Sequence, residues 1–345
     1  MSDRITHIIM KLIKNIFLLI LLILTFWSCD NKVDINAEYK DITIVYGLLD
    51  HSQKRHFIKL TKAFQTEGNV YVGAKDSALS QYDYNDVEVY IDEYSSGNFV
   101  RTIPFDSVLI DNKDSGVFYS PYQVVYGSPD NVILNQNNEY KLYIKIKSID
   151  KVIQSQTLMI HDFNVSKPNT GQKFVGFTSP LPLTVEWRSA ENGKLYQLNI
   201  RFFYTEVVSG VASVHYVDMP LNTKKSKGTT GGEKMSDEFY GELFYQNLAA
   251  KVPLPTQGMI RYPDSLYYIF SVADENFTIY MDVNKPSSSV VSERPAYTNI
   301  ENGIGIFAGR YNKIRYFIGL APQSIDTLVD GQYTYNLGFK HYPVP

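Results

Sequence analysis

Hydrophobic and polar residues alternate over short runs along most of the chain, whereas runs with helical periodicity are rare. The clearest alternation covers residues 140–146, and residues 152–159 follow it as the predicted second strand of a hairpin. Runs of this kind, bounded by Asn, Asp, Gly, Ser and Pro, are typical of β-sandwich strands and predict a mainly β protein. Further strands are predicted at residues 42–49, 56–62, 87–91, 183–187 and 195–202.

The predicted strands fall into two blocks, separated by a proline-containing stretch at residues 168–182. A chain of this length also favours two domains over one. We therefore predict an N-terminal β-sandwich domain over residues 41–165 and a C-terminal β-sandwich domain over residues 166–345.

The start of the second block resembles the opening strands of fibronectin type III and other immunoglobulin-like sandwiches. Trp187 ends a strand, Asn192-Gly193 is a strong turn signal, and residues 195–202 alternate again. The resemblance implies that Trp187 fills the core of an immunoglobulin-like domain.

One helix is predicted inside the second domain, near residues 236–251. Ser236 is a suitable N-cap, and Asp237 and Glu238 would lie in the first turn, where negative charge suits the helix dipole. Two prolines, the first of them Pro253, end the helix.

The first residues have the layout of an export signal. A basic region with Lys11 and Lys14 precedes an apolar run at residues 16–24, and the small Ser28 stands before Cys29. The apolar run is shorter than the roughly 20 residues of a membrane span. We therefore expect residues 1–28 to be a signal peptide, with an uncleaved N-terminal anchor as the alternative and Met10 as an alternative start.

Cys29 is the only cysteine in the chain, so it has no partner for an intrachain disulfide. A lone cysteine in an exported protein needs another explanation. Its position directly after the apolar run predicts cleavage before Cys29 and lipidation of its thiol. Several acyl chains on one residue give a stable membrane anchor, and the polar residues up to 40 would then be a tether.

The charge of the chain excludes one class of partner. The net charge is −3, and no basic stripe is present along the sequence. Nucleic-acid binding depends on a positive surface that displaces counterions, so a nucleic-acid partner is not expected.

No motif for a cofactor, a metal or a catalytic centre is complete. Gly303, Gly305 and Gly309 are spaced one residue too widely for a dinucleotide loop, and residues 314–318 after them are predicted to be a strand. In the calcium-loop-like segment 111–116, Lys113 occupies a ligand position. The histidines form no H-E-x-x-H motif. We predict no catalytic, cofactor or metal site, although paired carboxylates from distant strands leave no spacing signal and stay open.

Two segments carry a recognisable pattern: Pro295–Phe307, which contains N-I-E-N-G-I-G-I-F, and an N-terminal one that comprises residues 44–49 and 56–64. Together they resemble an uncharacterised Bacteroidetes-type envelope lipoprotein family. The resemblance implies an outer-membrane lipoprotein, often encoded near TonB-dependent transporters. It implies no activity and supplies no catalytic residues.

The C-terminal segment is a candidate interaction or structural motif, with Asn299, Glu301, Asn302, Gly303 and Gly305 as its candidate residues. Asn-Gly is a turn pair, and glycine permits close backbone approach. Three apolar residues of the segment are expected to anchor it to the core, namely Ile304, Ile306 and Phe307.

Three functions are compatible with the sequence. The first is a binding or accessory module at the outer membrane, in contact with a TonB-dependent transporter or its substrate. The second is a glycan or peptide hydrolase, which predicts a cleft with two carboxylates within about 10 Å of each other. The third is a structural envelope protein, which predicts flat surfaces without a pocket.

Overall fold

The computed structural model describes residues 41–66, 69–285 and 296–342. The predicted signal peptide, Cys29 and the tether lie outside the described residues. Strands make up 47% of the described residues and helices 15%, so the prediction of a mainly β protein is confirmed.

The elements are numbered here in chain order. The strands are β1 (Thr43–Leu49), β2 (Phe57–Lys62), β3 (Val87–Ser95), β4 (Asn98–Ile110), β5 (Gln123–Gly127), β6 (Glu139–Ile146), β7 (Lys151–Leu158), β8 (Val165–Lys167), β9 (Phe174–Val175), β10 (Leu183–Arg188), β11 (Leu195–Val208), β12 (Val211–Lys225), β13 (Lys234–Phe239), β14 (Met259–Ala273) and β15 (Ile304–Leu320). The helices are α1 (Val70–Gly73), α2 (Ser77–Ser80), α3 (Glu242–Lys251), α4 (Glu275–Asn284) and α5 (Pro322–Asp330).

A large sheet runs through both halves of the described chain. Its order is β12-β11-β14-β15-β1-β2-β5-β4-β3-β6-β7, with β9 beside β15, and a smaller sheet has the order β13-β10-β8. The 17-residue strand β15 joins the two halves. Ile304–Gly309 pair in parallel with β1, whereas Arg310–Gly319 pair antiparallel with β14.

The first hydrophobic core lies inside the N-terminal strands. Alternation along β6 turns Tyr140, Leu142 and Ile144 inward, and all three are fully buried. Strand β7 lies beside a C-terminal segment of the chain, where Gln154 forms an isolated antiparallel β-bridge with Glu301. The N-terminal strands therefore curl around their own core.

The second core lies between β12-β11-β14-β15 and the smaller sheet, with α3 and α5 packed beside it. Trp187 on β10 is only 2% exposed and contacts Phe270 on β14 with ring centroids 5.4 Å apart. The expectation that Trp187 fills a core is confirmed. Both halves share one sheet, and the boundary at residue 165 between two domains stays a prediction.

The predicted helix near 236–251 begins later than expected. Ser236 is not an N-cap, because Lys234–Phe239 form β13 and pair with β10. Alternate residues of this strand, Met235 and Phe239 among them, are buried, and that pairing outweighs the local helix-start signal. The helix starts at Glu242, directly after Gly241, whose added Cβ would lie 2.0 Å from the Phe177 carbonyl oxygen.

The prediction of one helix was also incomplete. Helix α4 begins after Asp274, whose carboxylate accepts a hydrogen bond from the Phe277 amide. Helix α5 begins with Pro322 in its first turn and buries Leu328. Both starts match ordinary helix signals, an Asp N-cap and an N-terminal proline. Within the described residues, no helix is long and apolar enough to cross a membrane.

Candidate functional site

The C-terminal motif holds the start of β15 against two neighbouring strands. The Asn299 side chain brackets the Phe307 backbone: its Nδ2 donates to the Phe307 carbonyl oxygen at 2.6 Å, and its Oδ1 accepts from the Phe307 amide at 3.0 Å. Ser155 on β7 donates its hydroxyl to the Asn299 carbonyl oxygen at 2.7 Å. The Asn299 side chain thus satisfies the two backbone groups of Phe307 that a neighbouring strand would otherwise bind.

The next residues of the motif also bond to β7. The Glu301 amide donates to the Gln154 carbonyl oxygen at 2.8 Å. Asn302 adopts a left-handed φ of 58°, as expected for a turn, and its Nδ2 donates to the Val152 carbonyl oxygen at 3.0 Å. These contacts support the interpretation of the motif as backbone packing.

Both candidate glycines of the motif lie against β1. An added Cβ at Gly303 would lie 3.0 Å from the Thr43 carbonyl oxygen, and one at Gly305 would lie 2.0 Å from the Val45 carbonyl oxygen. Gly305 also has a φ of +115°, which strongly favours glycine. The expected close backbone approach is therefore present.

The apolar anchors of the motif are only partly as expected. Ile306 and Phe307 are buried, but Ile304 is exposed. Side chains alternate between the two faces of an extended strand, so Ile304 and Ile306 point to the same face. Ile304 is the first residue of β15 and lies beyond the edge of the core. The expectation that Ile304 anchors the segment is wrong.

A buried carboxylate, Asp274, lies where β15 changes from β1 to β14. Its Oδ1 accepts from the Phe277 amide and its Oδ2 from the Gly309 amide, both at 2.7 Å. The Thr157 hydroxyl on β7 lies 3.3 Å from Oδ2. Burial raises the pKa of Asp274 to about 6, although these hydrogen bonds favour the carboxylate.

The raised pKa of Asp274 predicts an unusual pH dependence of stability. The folded state binds a proton more readily than the unfolded state, whose ordinary value is 3.8. Stability from this group therefore rises as the pH falls from above 6 towards 4, by about 1 kcal/mol between pH 7 and pH 5. Urea unfolding of the wild type and Asp274→Asn across this range measures the difference.

The control for this pH experiment is Asp218→Asn. The hydrogen bond from Arg201 holds the pKa of Asp218 below its usual range, so its contribution to stability is lost as the pH falls. That loss occurs only below the ordinary value of 3.8, so Asp218→Asn should leave the pH dependence between pH 7 and pH 5 unchanged, whereas Asp274→Asn should remove the rise. Parallel profiles for the wild type and Asp274→Asn would contradict the assigned shift.

Two cavities flank Glu242 at the start of α3. One of about 310 Å³ is lined by Tyr245 and Tyr333 among others, and one of about 510 Å³ is lined by Glu238 and Tyr240 among others. Tyr333 donates its hydroxyl to Glu242 between them. Two carboxylates, Glu238 and Glu242, line the larger cavity, and both residues are exposed to solvent.

A row of aromatic rings crosses the outer surface of β12, β11, β14 and β15. Tyr216 contacts Phe203 with ring centroids 5.9 Å apart, Phe203 contacts Tyr267 at 4.6 Å, and Tyr267 contacts Tyr316 at 5.1 Å. Each strand contributes one ring because alternate residues of a strand point to the same face. Neighbouring residues such as Phe202 and Tyr268 point to the core.

A second pair of rings extends this surface. Tyr262 on β14 is paired with Thr205, which lies two residues after Phe203 on β11. The Tyr262 ring stacks on the Tyr342 ring, with centroids 5.1 Å apart. Here the term aromatic face denotes the six residues Phe203, Tyr216, Tyr262, Tyr267, Tyr316 and Tyr342.

A charged pair borders the aromatic face at β12. Arg201 donates from Nε and Nη2 to the two carboxylate oxygens of Asp218, at 2.8 Å and 2.9 Å. Asn199 donates to the same carboxylate at 2.8 Å, and the Arg201 guanidinium lies 4.0 Å from the Tyr216 ring centroid. These contacts fix a planar cation against an aromatic ring, which preorganises this edge of the surface.

The aromatic face is open to solvent at both ends. Tyr216 is 54% exposed and Tyr316 is 47% exposed. Large exposed apolar surfaces bordered by polar groups mark sites of interaction. The aromatic face offers contact area and hydroxyl groups for the recognition of a partner. Among the described residues, no cluster of His, Cys, Asp or Glu is arranged to hold a metal ion.

The sequence did not indicate the aromatic face. Its residues come from four strands and the C-terminal segment, so their proximity depends on strand pairing. The local signal was an aromatic residue at an outward-facing position, such as Phe203 between the inward-facing Phe202 and Tyr204. That signal alone does not show which rings become neighbours.

No protein-family model matches the chain, and no curated protein matches it. Among solved structures, it is similar to the crystal structure of the C-terminal globular domain of an oligosaccharyltransferase from Pyrococcus abyssi, at 12% sequence identity and a TM-score of 0.22. The match covers 66% of this chain and 48% of that chain, so this chain spans about half of its length. A likeness at this level carries no argument about function.

Proposed function

We propose that the protein is a lipid-anchored binding or accessory module of the outer membrane, which contacts a protein partner through the aromatic face. The observation that carries the proposal is the continuous row of outward-facing rings, exposed at both ends, beside the Arg201–Asp218 pair. The anchor on Cys29 rests on the position of this lone cysteine directly after the apolar run. A TonB-dependent transporter as partner rests on the resemblance of the sequence to envelope lipoproteins.

The chemistry of the aromatic face favours a protein over a sugar as ligand. Tyrosine and arginine are enriched among the residues that dominate protein–protein binding energies. The rings are inclined to one another, at 53° between Phe203 and Tyr216, 54° between Phe203 and Tyr267, and 78° between Tyr267 and Tyr316. Inclined rings form ridges and notches that fit protein side chains, whereas a sugar ring stacks best on a flat platform.

Affinity purification from the native membrane tests the proposal. The wild type is expected to recover an outer-membrane protein, and Tyr216→Ala combined with Tyr316→Ala should reduce that recovery at least about 10-fold, as expected for loss of hot-spot residues. The yield of the copurified protein, measured by quantitative mass spectrometry, gives the comparison. The identity of that protein tests the transporter assignment.

The matched control is Tyr90→Ala combined with Tyr143→Ala. These two rings stack on each other with centroids 5.1 Å apart, on strands β3 and β6 away from the aromatic face. Recovery should be unchanged in this control and reduced in Cys29→Ala, which lacks the anchor. Equal recovery with all variants, or binding of an envelope glycan in place of a protein, would contradict the proposal.

A hydrolase is the second candidate function, favoured by Glu238 and Glu242 on the wall of one cavity. Paired carboxylates are what a glycosidase requires. It ranks below binding because both residues are solvent-exposed, whereas a general acid typically lies in a pocket that limits water. Activity on envelope glycans or peptides that Glu242→Gln abolishes would reverse the order of the two functions.

A further inference from the structure

Strand β12 forms one end of the large sheet and leaves a backbone edge uncovered. Its inner edge pairs with β11 from Val211 to Lys225. In the described part of the chain, no strand pairs with the outer edge, because β12 ends the sheet order. Backbone N–H and C=O groups along such an edge are a template for another strand.

The uncovered edge is seven residues long, from Val211 to Val217. It begins directly after the turn at Ser209 and Gly210, both of which have positive φ. It ends at Asp218, whose carbonyl oxygen accepts a hydrogen bond from the Lys251 side chain at 2.5 Å. Two residues later Pro220 has no amide to donate.

This edge lacks the features that usually prevent strand addition. Natural edges carry lysine, proline, a bulge or an inward-pointing charge. The seven residues contain no Lys, Arg, Asp or Glu, and the register with β11 is regular throughout them. Val211 is 72% exposed and Val214 is 66% exposed. The edge is therefore suited to association.

The edge has the sequence V-A-S-V-H-Y-V, with valine at both ends and at its centre and no charged residue. An antiparallel pairing with an identical strand, centred on Val214, opposes Val211 to Val217, Ala212 to Tyr216 and Ser213 to His215. No two like charges face each other, and the whole uncovered stretch is used. A two-fold interface requires this kind of self-complementarity.

We propose that two copies of this chain associate through antiparallel pairing of their β12 edges, with the two-fold axis at Val214. The opposed Ser213 and His215 side chains have matching chemistry, since within one chain their Oγ and Nε2 atoms already lie 2.8 Å apart. A two-fold axis between antiparallel strands is perpendicular to the sheet. Both aromatic faces then lie on one side of a continuous sheet, with the Tyr216 residues of the two copies near its centre.

Cysteine cross-linking of the full-length chain tests the register. Directly opposed residues of antiparallel strands have Cα atoms about 4.5–5.5 Å apart, within the range of a disulfide. Val214→Cys is therefore expected to form a covalent dimer under mild oxidation. Val211→Cys is the matched control, because its two copies would lie about 20 Å apart along the strands. The unsubstituted chain reports any dimer formed through Cys29.

Sedimentation of the same full-length chain tests association without a new thiol. Val214→Lys places two ammonium groups opposite each other at the axis and should weaken dimerisation at least about 10-fold, since directly opposed like charges are unfavourable. Val211→Lys opposes a valine and should weaken it less. A wild type that stays monomeric, equal cross-linking at positions 211 and 214, or a different protein bound along β12 would each overturn the proposal.

Discussion

Replacing Gly305 with alanine is expected to lower the free energy of unfolding by about 3 kcal/mol, enough to remove much of the stability of an ordinary domain. The new Cβ would lie 2.0 Å from the Val45 carbonyl oxygen, a backbone atom in the middle of β1. Strand β15 would have to separate from β1 there. The φ of +115° adds conformational strain to the steric conflict.

Two other glycines separate these contributions. Gly97 has a φ of +81° with open space around its missing Cβ, so Gly97→Ala measures strain alone and should cost about 1 kcal/mol. Gly116 also has open space and no positive φ, so Gly116→Ala should be close to neutral. Urea unfolding of the three variants gives the order. A Gly305→Ala protein as stable as Gly97→Ala would exclude the close approach of β15 to β1.

Replacing Arg261 with alanine is the second substitution with a large expected effect, a loss of about 3–5 kcal/mol. Arg261 lies on β14 and is fully buried. Its Nε donates to Glu206 Oε2 at 3.0 Å, and its Nη1 donates to the carbonyl oxygens of Pro253 at 2.9 Å and Leu337 at 2.5 Å. Alanine would leave these acceptors, of which the Leu337 carbonyl oxygen is buried, without their donor.

The appropriate comparison is a variant that removes the charges together. Arg261→Met with Glu206→Gln keeps the volume and removes the unpaired carboxylate, so it should cost clearly less than Arg261→Ala. Chemical denaturation measures the stabilities. Limited proteolysis measures release of the C-terminal segment, which the Arg261 backbone also holds through Gly338 and Lys340. Equal losses for both variants would show that packing, and not the buried ion pair, determines the effect.

The parts of the fold that depend on local alternation were predictable. Strand β6 and its hairpin partner β7 lie where the alternation placed them, and Trp187 is in a core as its sequence context implied. The role of Gly305 in close backbone approach was also accessible, because only glycine tolerates such a position. In each case the pattern lies within one short segment.

The parts that depend on pairing between distant segments were not predictable. Ser236, Asp237 and Glu238 carry a helix-start signal, yet they form β13 because β10 offers a partner strand. The aromatic face depends on the register between β11 and β14, which shifts between Phe202 and Tyr204. The sequence around these residues shows neither which strand will pair with them nor where the register shifts.

The two-sided pairing of β15 also constrains how the chain reaches its native state. Residues 44–49 of β1 find their parallel partner only in residues 304–309, near the opposite end of the chain. Until that late segment is synthesised, one edge of β1 and part of the N-terminal core stay uncovered. Contacts this distant in sequence are slow to form and leave strand edges open to aggregation. Productive folding therefore requires that the early strands be protected until the last strand of the sheet is in place.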